Sequence, residues 1–220
     1  FASRVCEAFP NTFGNSDKRR TTGNPVREEL FLATPRDSLR SRRPRLLVLG
    51  GSLGAEPLNK LLPEALALVA AELRPEVFHQ AGKQHDAITT ERYAAVGVEA
   101  TVAPFIKDMA RAYAWADLVV CRSGALTVSE LAAAGLPAFL LPLPHAIDDH
   151  QTRNADYLAS AGAAVLLPQR STDAATLAAQ LTEVLMHPER LNEMGQTARR
   201  LAKPDATCTV VDICLEVARG

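Results

Sequence analysis

At 220 residues the chain exceeds the usual single domain of about 100–200 residues, yet one α/β core can organise it. With 47% apolar, 22% charged and 5% aromatic residues it is neither a disordered nor a collagen-like polypeptide. Lys and Arg number 24 against 25 Asp and Glu, a net charge of −1, which excludes a protein built to neutralise nucleic-acid phosphates. Any anion it binds is held locally.

Charge is unevenly placed. Residues 1–45 carry ten Lys and Arg against five acids, so the remainder is net acidic. This basic stretch reads either as a solvated linker or as a face toward lipid headgroups or a phosphorylated ligand. The opening FASRVCEAFP begins in mid-pattern, as expected of a fragment, and has no signal-peptide pattern. No apolar run approaches the ~20 residues that cross a bilayer. Cys6, Cys121, Cys208 and Cys214 have no CxxC spacing, and are read as reduced thiols of a cytoplasmic protein.

From residue 45 short β-rich runs alternate with helical patterns. Strands are expected at 45–50, 76–81, 98–104, 117–121, 138–143 and 163–168. Leu58, Leu61, Leu62, Ala65, Leu66 and Val69 form one stripe of an amphipathic helix between the first two, and similar helices follow most other strands. Apolar strands separated by helix-length segments specify a doubly wound, six-stranded parallel sheet, an α/β Rossmann-like fold covered on both faces. Three helices, 173–186, 188–202 and 205–217, then close the chain.

In such a fold ligands bind beyond the carboxyl ends of the strands, where strand order reverses. GGSLGA, residues 50–55, joins the first strand to the first helix. Gly51 and Gly54 allow close backbone approach, and Ser52 with the helix start can hold a phosphate; a ligand-free tight turn is the alternative. The loop is not G-x-G-x-x-G, and the second strand ends in His79, Gln80, Ala81 and Gly82 rather than an acid, which counts against a dehydrogenase. It also lacks the G-K-[ST] ending of a nucleoside-triphosphatase loop.

The second loop, CRSGALTVSELAAAGLP, spans residues 121–137. Ser123 and Gly124 give a turn, and a helix is expected to start near Thr127. Thr127-x-x-Glu130 fits a capping box, in which both side chains merely satisfy backbone N–H groups. The functional alternative places the helix start against a second phosphate and lets the two oxygens of Glu130 accept both hydroxyls of a ribose. Two phosphate loops at adjacent strand ends suggest a diphosphate carrying a nucleoside.

In LPLPHAIDDHQTRNA, residues 141–155, His145, Asp148, Asp149 and His150 have no recognised metal-ligand spacing, and no metal or cofactor is expected. Asp148 or Asp149 is read as a helix cap, with Gln151 and Asn154 presenting amides to a polyhydroxyl ligand such as a sugar.

GNPVR at 23–27, GGSLGA, FIKDMARAYAWADLVVCRSGALTVSELAAAGLP at 105–137 and the DDHQTRNA run, in this order, resemble the carboxyl-terminal half of the MurG family of peptidoglycan N-acetylglucosaminyltransferases. The resemblance covers essentially the whole chain. It implies the second domain of a GT-B enzyme that binds UDP-N-acetylglucosamine and, with its amino-terminal partner domain, converts lipid I to lipid II at the cytoplasmic face of the bacterial inner membrane as a peripheral protein. By the resemblance Arg27 and Ile106 lie at the uracil. Ser52 and the helix start of Ala125, Leu126 and Thr127 meet the diphosphate, Glu130 the ribose and Gln151 the sugar hydroxyls, while Gly51, Gly54, Ser123, Gly124, Val128, Ser129 and Asn154 are further substrate-binding candidates.

The family's glycine-rich amino-terminal domain, with most of the acceptor site and the proposed catalytic His, has no counterpart in these residues. No catalytic residue is therefore assigned here. Residues 1–25 read as the tail of that domain and a linker, 26–203 as the donor-binding domain, and 204–220 as a helix toward the partner domain. The rival readings are another GT-B glycosyltransferase and a non-catalytic nucleotide-binding module.

Overall fold

The structure, a computed structural model, describes residues 2–10, 12–13, 16–32, 42–51, 54–144 and 149–219. Two short strands, β1 (Val5–Glu7) and β2 (Arg19–Thr21), pair in parallel. The main sheet contains β3 (Arg45–Leu49), β4 (Glu76–Gln80), β5 (Thr101–Ala103), β6 (Leu118–Cys121), β7 (Ala138–Leu140) and β8 (Ala164–Leu166). It is parallel throughout, in the order β5-β4-β3-β6-β7-β8. All six expected strands are present, each trimmed at one or both ends. β1 and β2 were not expected.

Helices α1 (Glu56–Leu68), α2 (Asp86–Ala95), α3 (Met109–Trp115), α4 (Ala125–Ala134), α5 (His150–Ala159) and α6 (Ala174–Met186) each follow a strand of the main sheet. They are followed by α7 (Pro188–Leu201) and α8 (Ala206–Arg219). Alternate residues of the strands feed two cores, as the period-2 geometry of a strand requires. Leu47, Leu49, Val119, Cys121 and Leu140 pack beneath α3, α4 and α5, whereas Leu46, Val48, Leu118, Val120 and Phe139 pack beneath α1 and α6. The central strands β3, β6 and β7, buried on both faces, are almost wholly apolar, which is why they read as continuous apolar runs.

The α4–α7 contact depends on close backbone approach. A side chain on Gly195 would place its Cβ 2.7 Å from the Gly135 carbonyl, so only glycine fits. Arg199 of α7 donates to the carbonyls of Ala134 at the end of α4 and of Phe31. At the bottom of the sheet buried Asp117 receives the Arg42 guanidinium through both oxygens and also the Arg45 N–H. The first segment docks on this domain through Phe9, whose ring lies 4.6 Å from that of Tyr157, and through Asn24, which donates to Ser129.

Between β4, α1 and α2 lies a buried polar chain. The Asn59 amide donates to the Ala81 carbonyl at 3.0 Å, so its Oδ1 must accept from His79 Nε2, also at 3.0 Å. His79 is then protonated at Nε2, and Nδ1 accepts from the Tyr93 hydroxyl at 2.9 Å. Every proton position follows from the carbonyl at one end.

Burial pushes the His79 pKa from its ordinary 6.5 down to about 3. Between those values the unfolded chain binds the proton that the folded chain excludes. Stability therefore falls as pH drops from 6.5 toward 3, by at most about 1.4 kcal/mol per pH unit from this residue. Urea unfolding at pH 7, 6 and 5 measures the slope, and His79→Gln is expected to flatten it. Equal slopes in the two proteins would contradict the assignment.

Candidate functional site at the strand-order reversal

Sheet order reverses between β3 and β6, where Leu49 stands opposite Cys121. The chain leaves both strands at the same level, so the loops that follow start side by side, at Gly50 and at Arg122. Gly50 donates its N–H to the Gln80 carbonyl and Gly54 donates to Gly51. Gly54 has φ +79°, and a Cβ there would lie 2.3 Å from the Ala81 carbonyl, the same carbonyl that Asn59 holds. The glycine loop thus rests on the end of the buried Asn59–His79–Tyr93 chain. Ser52 lies outside the described residues.

The helix starts at this edge differ in charge. α1 carries Glu56 in its first turn, where Arg92 at 2.8 Å and Lys60 at 3.3 Å surround it and Arg92 holds its carboxyl below the usual range. α2 begins with Asp86. Asp108 caps α3 and Asp173 caps α6, each accepting a backbone N–H, and Asp149 occupies the N-cap position of α5. Among the described residues, α4 is the only one of these six starts with neither a side-chain cap nor an acid in the cap or first turn. Its first N–H groups and the positive end of its dipole face outward uncompensated, the arrangement that suits an anion.

That geometry corrects the capping-box expectation. The helix begins at Ala125 with Gly124 at the N-cap, so Thr127 is its third residue and cannot cap it. Glu130 instead accepts the Tyr113 hydroxyl at 2.9 Å, and Arg27 lies 3.7 Å from its other oxygen. The Glu130 side chain is 13% exposed. Leu126 is exposed, whereas Val128 is buried in the core and its N–H bonds to Gly124 inside the helix. Ser129 faces Asn24 and donates to Ala125. Of the expected phosphate-lining run, only the 124–127 start keeps its N–H groups for a ligand.

Ser123, Gln151 and Asn154 are brought together, but as a fastening. The buried Ser123 hydroxyl donates to the Gln151 carbonyl, and the buried Asn154 amide donates to the Ser123 carbonyl. Gln151 Oε1 accepts the Leu143 N–H. The expectation that both amides face a sugar is corrected for Asn154, whose donor group is turned inward. The cap expectation is corrected as well: Asp149 accepts the Thr152 hydroxyl and no backbone N–H, and Asp148 lies outside the described residues with His145. Among the described residues no three His, Cys, Asp or Glu side chains cluster as metal ligands.

Ile106 is buried beside a cavity of about 440 Å³ that runs along α3 past Phe105, Lys107, Arg111 and Trp115; no α4 residue lines it. Sequence reasoning missed Tyr113 and Arg122. Arg122 donates to the Leu141 and Pro142 carbonyls and to Gln169, joining the ends of β6 and β7. Its only signal was a basic residue directly after a buried strand; Tyr113 gave none beyond a polar-tipped aromatic ring in an apolar helix.

Residues 45–210 match the glycosyltransferase family 28 C-terminal domain. Over its full length the chain is 83% identical to the UDP-N-acetylglucosamine–N-acetylmuramyl-(pentapeptide) pyrophosphoryl-undecaprenol N-acetylglucosamine transferase of Stutzerimonas stutzeri (strain A1501). It is 80% identical to the protein of that name from Ectopseudomonas mendocina (strain ymp), and spans 62% of each relative's length. The crystal structure of Acinetobacter baumannii MurG superposes with a TM-score of 0.84 at 43% identity, covering 98% of this chain and 61% of that one. With most of its residues inside the family match and its sheet in the same arrangement, this chain belongs to glycosyltransferase family 28 and carries that family's C-terminal domain.

Proposed function

We propose that this chain is the donor-binding part of an inverting N-acetylglucosaminyltransferase that uses UDP-N-acetylglucosamine and the 4-hydroxyl of the N-acetylmuramoyl group of lipid I, forming lipid II for peptidoglycan. The observation that carries the reading is the uncompensated start of α4 at the strand-order reversal, with Glu130 one and a half turns further on. The relatives' names supply the substrates. The diphosphate is placed at the N–H groups of residues 124–127 and at the glycine loop. The ribose meets Glu130, the uracil meets Arg27 and the backbone of Ile106, and the N-acetylglucosamine lies toward Gln151.

In the reaction the 4-hydroxyl oxygen attacks C1 of the sugar while the C1–O bond to the β-phosphate breaks, so C1 inverts. UDP leaves with the bonding pair, and the hydroxyl proton passes to a base, assigned to the acceptor domain rather than to this chain. Negative charge grows on the leaving diphosphate, so N–H groups already aimed at it stabilise the transition state more than the ground state. Loss of one such preorganised donor typically costs about 3 to 4 kcal/mol.

The domain division of this proposal keeps 26–203 as the donor unit, with 1–25 and 204–220 toward the acceptor domain. α8 fits that division, since only Ala206 of the helix is buried while Val211, Leu215 and Val217 are exposed. The protein is placed at the cytoplasmic face of the inner membrane as a peripheral protein. No helix among the described residues is long and apolar enough to cross a membrane.

Calorimetry on the 220-residue chain tests the donor reading. UDP and UDP-N-acetylglucosamine are expected to bind, and Glu130→Ala to weaken UDP binding by about 1 to 3 kcal/mol, the range for losing hydrogen bonds to a charged group. Tighter binding of NADH than of UDP, or an unchanged UDP affinity in the variant, would refute it. Because helix N–H groups supply the positive potential that a divalent ion otherwise provides, UDP binding is expected to survive a chelator. Loss of binding in chelator that a divalent ion restores would contradict this.

A further inference from the structure

A carboxylate can serve a vicinal diol only if its plane is set so that one oxygen meets each hydroxyl. The last torsion of a glutamate is soft and roughly two-fold, so an unrestrained Glu130 would sweep its oxygens through many orientations. Two groups restrain it here. On one side Tyr113 donates its hydroxyl to Oε2 at 2.9 Å, and on the other Arg27 stands 3.7 Å from Oε1. The two restraints are unequal. Arg27 is half exposed on a long side chain, whereas Tyr113 is 1% exposed and belongs to the core cluster that also holds Val119 and Cys121 of β6 and Val128 of α4.

We propose that Tyr113 is a positioning residue: its buried hydroxyl fixes the carboxylate plane of Glu130 before the nucleotide arrives, and so gives the site its preference for ribose over 2′-deoxyribose. The proposal rests on the donor reading above and assigns a residue to its sugar selectivity.

The hydroxyl is suited to this. Burial, and next the neighbouring Glu130 charge, keep the Tyr113 pKa well above its ordinary 10, so it remains a hydrogen-bond donor at any working pH. The carboxylate keeps acceptor capacity on both oxygens after taking one O–H, since each oxygen has two lone-pair sites. Tyr113 also joins two parts of the nucleoside site. It lies on α3, which starts just after Ile106 and is fixed at its N-terminus by Asp108, so the element that ends at the base loop also orients the ribose-binding group.

The test compares UDP with 2′-deoxy-UDP by calorimetry on the 220-residue chain and on Tyr113→Phe, which keeps the ring and removes only the hydroxyl. The unaltered chain is expected to favour UDP by about tenfold, and the variant to reduce that preference to within about threefold, as expected for the loss of one oriented hydrogen bond. Binding of the deoxy nucleotide should change little. A structural role alone would lower the melting temperature and leave the preference intact. A preference that survives Tyr113→Phe overturns the proposal and leaves the donor reading standing. Equal binding of the two nucleotides by the unaltered chain removes the ribose role of Glu130, and the proposal with it. Should Tyr113→Phe not fold, Tyr113→Met fills the space with an adaptable side chain and carries the same comparison; failure of both to fold would assign Tyr113 to the core alone.

Discussion

The parallel pairing of β3 with β6 sets the position of the candidate site. With Leu49 opposite Cys121, the backbone leaves both strands at one level, and the next residues are Gly50 and Arg122. The crossovers from these strands run to opposite faces of the sheet, so a crevice opens between the two loops. Its floor is rigid. The Asn59–His79–Tyr93 chain fixes the Ala81 carbonyl under Gly54, and Ser123 is bound to α5 through its hydroxyl and its carbonyl. Donors held this way need no reorganisation when charge develops in front of them.

Electrostatics then selects one helix start from six. These 220 residues have a net charge of −1 and no general field for an anion, so on the proposed reading attraction comes from local dipoles and N–H groups. Acids sit at five of the starts, and the α1 start uses Glu56, Arg92 and Lys60 to build an ion-pair cluster of its own. Among the described residues, α4 is the one of these six starts that has neither an acid nor a side-chain cap. On the proposed reading the glycine loop before α1 acts through close backbone approach, and the start of α4 is the main anion site.

The main sheet was legible because burial on both faces leaves the central strands apolar: RLLVL, LVVC and AFL lie in short apolar runs separated by helix-length segments, the pattern of a parallel sheet. β1 and β2 were not legible, since three residues show no periodicity and Arg-Arg-Thr has no apolar face. At α4 the motif and its place were legible but its start was not. Thr127 and Glu130 have the spacing of a capping box by coincidence, and it is the extended backbone of Gly124, φ −60° and ψ 144°, that starts the helix at Ala125, two residues before Thr127. Asn154 and Gln151 were recognisable as polar residues one turn apart. Their partners, Ser123 and Leu143, could not be read from spacing because the fold, not the local chain, brings them together. Tyr113 was hidden for the same reason: its hydroxyl meets Glu130 only across the α3–α4 contact.

The central claim is that the diphosphate is held by the start of α4. Backbone amide NMR of the 220-residue chain during UDP addition tests it most directly. The N–H resonances of Gly124, Ala125, Leu126 and Thr127 should move most, with saturation at the same UDP concentration as those of the glycine loop. Large shifts confined to the α1 or α5 starts, with residues 124–127 unmoved, would contradict the account.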